Sequence, residues 1–207
     1  MKRIATVGLI GLLGLLSQNG VVHAADKDKA YAPKGAATLT CEGMSKINPN
    51  STDAALVVGW FDGYVTGLNM TTPETFDIAP WQDSLLLSNL VLNACRKNPQ
   101  AKFMDVVQAL TNDLAAKRLK TKAEVVEISE GDKKGLMYSE VLKQAQTALK
   151  DKAGFSGTAD GKWGSKTRDA IKAFQKKEGL PETGLPDSLT LLRLLQPFGK
   201  PGAAPAN

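Results

Sequence analysis

The chain has 207 residues, with 26 Lys and Arg against 21 Asp and Glu, one His and two Cys; 43% of it is hydrophobic, enough to build packed cores. A formal net charge of +5 is too modest to mark a nucleic-acid binder. The single histidine, His23, lies in the amino-terminal apolar stretch. A chain without that stretch has no imidazole for a Ser-His-Asp or Cys-His arrangement or for zinc, which excludes zinc amidases and zinc peptidases.

Residues 1–24 read as a secretory signal peptide. Lys2 and Arg3 form its positive start, Ile4 to Leu16 an apolar core too short to span a membrane, and Val22-His23-Ala24 the cleavage motif. The rival reading is an uncleaved membrane anchor. Cleavage after Ala24 places the protein in the periplasm with no membrane span and an excess of three positive charges, 24 bases against 21 acids. Residues 25–38 are rich in Lys, Ala and Gly and are expected to be a mobile segment.

Cys41 and Cys95 are an even pair in an oxidising compartment, so they are expected to form a disulfide. Between them the pattern is helical. Thr52 or Asp53 caps a helix whose apolar positions are Val57, Phe61, Tyr64, Val65 and Leu68. Gly59, Gly63 and Gly67 stand four apart on it and cost it roughly 2–3 kcal/mol relative to alanine, which suggests close packing of a partner helix. A long connection, Met70 to Trp81, leads to a second helix over about 83–96, with Leu86, Leu90, Val91, Ala94 and Cys95 mostly on one side. A third runs over about 101–114 on Phe103, Val106, Val107 and Leu110.

The runs LTCEGM, ALVVGWFDGYVTGLN and VLNACRKNPQAKFMDVV resemble the HdeA family of small periplasmic proteins. The resemblance implies an all-helical domain with one disulfide, over residues 39–115, and in some members acid-stress chaperoning. A related layout occurs in immunity proteins against wall-degrading amidases. Any acid sensor here consists of carboxylates: residues 26–120 carry ten acids and ten bases, so acidification drives the segment towards about +10 and loosens it near or below about pH 4.

Residues 116–135 mix Lys, Arg, Glu and Asp densely and read as a charged, solvated linker, with no substantial sheet anywhere. Beyond it, Val141, Ala145, Ala148 and Leu149 mark a first amphipathic helix. Asp160-Gly161 is a turn, and Ala170, Ile171 and Phe174 mark a second helix ended by Gly179 and Pro181. Asp187 caps a third helix that buries Leu191, Leu192 and Leu195. The stretch from Asp160 to Leu195, with its Asp-Gly, Trp-Gly, Thr, Ala-Ile, Phe-Gln, Gly-Leu and Gly in order, resembles the three-helix peptidoglycan-binding module of cell-wall proteins. That places the module at residues 136–197 and a disordered tail at 198–207.

The resulting fold class is all-α: two small helical domains joined by a charged linker. The module implies peptidoglycan as partner, with contacts expected around Asp160, Trp163, Lys166, Thr167 and Lys172. Asp160 also reads as stabilising its own turn, and Trp163, Phe174 and Gln175 as shaping the core. Arg168, Lys172 and Lys176 recur every four residues, either as a solvated face or as an attraction for stem-peptide carboxylates.

No catalytic residue, cofactor or metal is assigned. Asp62, Glu74, Asp77 and Asp83 are acids available to a hydrolase, but each reads better as a cap or surface group. Three partners compete for the amino-terminal domain: acid-unfolded periplasmic proteins, a wall-degrading enzyme, or a neighbouring envelope protein.

Overall fold

The computed structural model describes residues 26, 28 and 30–195, so the signal peptide, His23 and the tail lie outside the described residues. Residues 34–195 form one compact unit built on two hydrophobic cores. The fold is all-α apart from one two-stranded hairpin.

The first core begins with a turn of 3-10 helix, Gly35–Thr38, whose Ala36 is buried, so this end of the segment expected to be mobile is packed. Helix α1, Cys41–Ser45, starts at Thr40, whose hydroxyl accepts from Gly43 N–H. Helix α2 spans Thr52–Thr71; its cap is Ser51, one residue before the two candidates, because the Ser51 hydroxyl accepts from Ala54 N–H. Asp83 caps α3, Ser84–Lys97, by accepting from Leu86 N–H at 2.7 Å. Helix α4 spans Phe103–Ala115.

The stripes differ in phase from the sequence reading. Helix α3 buries Leu87, Ser88, Val91 and Cys95 while Ala94 is exposed, and α4 adds Met104, Thr111 and Leu114 to Phe103 and Val107. Cys41 and Cys95 are bonded and inaccessible to solvent, fastening α1 to α3. Closing their 54-residue separation stabilises the fold by about 4 kcal/mol in the chain-entropy account. Phe61 and Phe103 meet edge to face at 5.9 Å, and Trp60 contacts both.

The three glycines of α2 do not receive a packed helix. A Cβ at Gly59, Gly63 or Gly67 would meet nothing within 4 Å. Leu56 and Met70, on the same side, are 65% and 80% exposed. The apolar stripe around Val57 and Phe61 takes the core side, so the glycines face away from it. No described helix is long and apolar enough to cross a membrane.

Residues 72–83 are tied down by Asp77 pairing with Leu119 and by Asn69 accepting from Ile78 N–H. The segment expected to be a solvated linker then forms strands β1, Val125–Glu130, and β2, Lys133–Tyr138, antiparallel with Glu130 opposite Lys133. The signal was Gly131-Asp132, a two-residue hairpin turn between β-branched alternation, Val126 and Ile128, and the run to Tyr138. Charge density masked it.

The second core is α5, Ser139–Ala153, α6, Ser165–Glu178, and α7, Ser188–Leu195. Val141, Leu149, Ile171, Phe174, Leu191 and Leu194 fill it. Helix α7 buries Leu194 where the sequence suggested Leu192 and Leu195, both half-buried. Trp81 packs on this core, Phe76 meets Tyr138 at 5.8 Å, and Ser188 donates to Asp83 at 2.5 Å, which joins the two halves.

Replacing Gly59, Gly63 and Gly67 by Ala removes backbone entropy from the unfolded chain with no clash in the folded one. The triple variant is expected to be about 2–3 kcal/mol more stable in urea unfolding. A destabilised variant would mean that these positions touch something in the folded protein.

Candidate functional site

The residues expected to contact the wall lie on the loop before α6 and on α6 itself, and the structure gives them unequal roles. Gln146 of α5, 1% exposed, organises the loop: its Oε1 accepts from Gly161 N–H at 2.8 Å, and its Nε2 donates to Lys162 O at 2.9 Å and Thr167 Oγ1 at 3.0 Å. Gly161 has φ of +74°, and a Cβ there would sit 2.5 Å from Ser139 O, so only glycine fits. The sequence reading of α5 named Val141, Ala145, Ala148 and Leu149 and missed Gln146, whose amide partners lie 15 to 21 residues away and leave no local period.

Asp160 accepts from Lys162 N–H at 3.0 Å, closing its own turn. That backbone hydrogen bond is the main reason its carboxyl is held below the usual carboxylate range. Thr167 is buried and occupied by Gln146, so it is a structural residue of the module. Lys166 is exposed, and no partner for its ammonium is found among the described residues. Gln175, fully buried, donates to Thr183, Leu185 and Thr190 and accepts from Gly184 N–H.

Trp163 and Lys172 meet the hairpin. The Trp163 indole N–H donates to Ser129 O at 3.0 Å. Lys172 pairs with Glu130 Oε1, and Arg168 Nε lies 3.4 Å from Glu130 Oε2. Arg168 also binds Asp169 at 2.9 Å, and this contact first, then the Asp169 and Glu130 charges, raises the guanidinium above its ordinary value. Arg168 therefore joins the candidate surface, and Lys176 stays exposed beyond it.

The hydrogen bond from Lys172 is the largest cause holding the Glu130 carboxyl below its usual range. The Lys172 and Arg168 charges add to it, and burial and Asp169 oppose it. The four hydrolase candidates have separate tasks. Asp62 accepts from Ser84, Asp83 caps α3, Asp77 accepts from Ala79 N–H, and Glu74 pairs with Lys120 at the surface.

In the amino-terminal half, an open groove of about 630 Å³ runs between α2 and α3. Ile47, Val58, Leu85 and Leu92 give it apolar walls, and Asn89 and Arg96 supply polar groups. A second, shallower depression of about 460 Å³ lies over Gly63 and Gly67 beside Trp60 and Tyr64, whose rings stack at 5.1 Å.

Residues 139–194 match the peptidoglycan binding domain family, and residues 8–105 match the HdeA/HdeB family. No curated protein and no solved structure matches the chain. The hairpin lies between the two matched segments and in neither.

Because the Glu130 carboxyl is depressed, its ion pairs contribute fully above the unfolded-state value and are lost as pH falls through the folded value. The hairpin contact to α6 is expected to persist at pH 5 and to loosen only below the ordinary glutamate range. Carbon-13 titration of the Glu130 carboxyl, with the Trp163 indole resonance as a reporter of the hairpin, checks this. Loss of the contact at pH 5 would contradict the assignment.

Proposed function

We propose that this is a non-enzymatic exported protein that binds peptidoglycan through residues 139–194 and presents the HdeA-like helical bundle at the wall. The observation that carries the reading is the module match, supported by an α6 face that offers Arg168, Lys172 and Lys176 beside the half-buried Trp163, with the unpartnered Lys166 on the first turn of the helix. Peptidoglycan stem peptides present carboxylates, and a cationic face attracts them over roughly a Debye length, about 8–10 Å near physiological salt. The helical bundle supplies the second function. Its disulfide keeps α1 and α3 joined when carboxylates protonate, and its groove and exposed Leu85 offer apolar surface to an acid-unfolded protein. This makes acid-stress chaperoning the leading role for that half.

The exposed side of α2, from Leu56 through Gly59 and Gly63 to Met70, favours a second reading. A smooth helix face of this kind suits a tight, stoichiometric complex, and the bundle then acts as an inhibitor or immunity protein against a wall-degrading enzyme.

The mature protein is expected to pellet with purified sacculi in low salt and to be released as salt is raised. Lys166→Glu should weaken pelleting several-fold, since Lys166 has no structural task to lose. Protein that stays in the supernatant at low salt would overturn wall binding. For the bundle, suppression of client aggregation at about pH 3 and not at pH 7 supports the chaperone role, whereas no suppression at either pH leaves the inhibitor reading.

A further inference from the structure

Arg168 and Lys172 stand one turn apart on α6 and so share a face. Their aliphatic stems lie over Gly184, where a Cβ would come 3.2 Å from Arg168 Cγ and 2.7 Å from Lys172 Cε. Gly184 is itself fixed, with φ of +69° and its N–H held by the buried Gln175. The two cationic heads are thus placed by the backbone beneath them, before any partner arrives. Glu130 meets both, one oxygen to each head, while Asp169 also pairs with Arg168 at 2.9 Å; the Glu130 side chain is only 24% exposed and those of Arg168 and Lys172 are 34% and 39% exposed. Glu130 is the last residue of β1, next to the hairpin turn, and Trp163 fastens the neighbouring Ser129 carbonyl.

The hairpin is an addition to the module. The matched segment begins at residue 139, after β2 has ended. Only Ile128 of its twelve strand residues is buried. Its hold on α6 therefore rests on the Trp163–Ser129 hydrogen bond and the Glu130 pairs more than on apolar burial.

We infer that Arg168 and Lys172 form a carboxylate-binding site that Glu130 fills as an internal ligand, and that a stem-peptide carboxylate of the wall takes the place of Glu130 on binding. This rests on the wall-binding reading above and names the group that the module recognises. Exchange of one carboxylate for another keeps Lys172 paired, while Arg168 also retains Asp169. A tethered competitor acts at an effective concentration on the order of millimolar or above. Single soluble stem peptides then bind poorly, while the dense carboxylates of intact wall succeed through many simultaneous encounters. Glu130 gives the protein a preference for assembled wall over its soluble fragments.

The test uses the mature full-length protein and a synthetic stem peptide with a free terminal carboxylate, alongside its terminal amide. Glu130→Gln keeps the side-chain shape and removes the charge. It is expected to bind the free acid about tenfold more tightly than wild type and to gain nothing for the amide. Arg168→Gln/Lys172→Gln in the same background should abolish the gain. Equal affinity of wild type and Glu130→Gln for the free acid would overturn the proposal. So would peptide binding that ignores the terminal carboxylate.

Wild-type protein supplies an independent readout, needed if the substitution loosens the hairpin. Saturating free acid should move the Glu130 carboxyl and Trp163 indole resonances, and unmoved resonances at saturation would also overturn the site. Failure is separable from failure of wall binding: pelleting with sacculi alongside no effect of Glu130 leaves wall binding standing and removes only the carboxylate site.

Discussion

One buried amide, that of Gln146, sets the geometry on which the carboxy-terminal half depends. Its oxygen and nitrogen hold Gly161, Lys162 and Thr167 at once, in a site almost closed to solvent. Each of those groups, left unpaired in the interior, would cost about 1–3 kcal/mol, so the loop before α6 has little freedom to adopt another path. That loop carries Trp163, and its end fixes where α6 starts. Gln175 does the same for the loop after α6, holding Thr183, Gly184, Leu185 and Thr190. Two glutamines thereby bracket one helix, and its cationic residues inherit fixed positions.

The amino-terminal half is stabilised differently. Its centre is a covalent tie between α1 and α3 and an aromatic group of Trp60, Phe61 and Phe103, with Tyr64 stacked on Trp60. Neither depends on the charge of a carboxylate, so both persist in acid. The contacts between the halves are mixed: Phe76 on Tyr138 is apolar and Ser188 to Asp83 is a hydrogen bond, whereas the pairs on Glu130, within the carboxy-terminal half, need an ionised acid. Burial is the first cause that raises the Tyr138 hydroxyl above its usual value, followed by the charge and hydrogen bond of Asp77. Acid therefore acts first on the Glu130 pairs that hold the hairpin to α6, and less on either core.

The hairpin occupies part of the surface that the sequence reading assigned to wall contacts. Lys172 and Trp163 carry the chemistry expected of ligand contacts, yet both are engaged by a segment that reads in sequence as solvated linker. Thr167, expected among those contacts, is interior. Among the expected lysines, Lys166 and Lys176 stay exposed, with no partner for either ammonium among the described residues.

Local chemistry in the sequence determined six of the seven helices among the described residues, all but α1, to within shifts of phase. Caps such as Asp83 and Asp187, stops such as Gly179, and apolar recurrence through Val141, Ala145 and Leu149 act within one or two turns and so leave a readable period. The cysteine pair and the Asp-Gly to Gly-Leu order of the module were equally legible. Tertiary structure decided the rest. It turned Gly59, Gly63 and Gly67 outward, because Val57 and Phe61 claimed the core side of α2. It also set Glu130 against Arg168 and Lys172, some forty residues away, an ion pairing that carries no local period and exists only once the hairpin is folded onto α6.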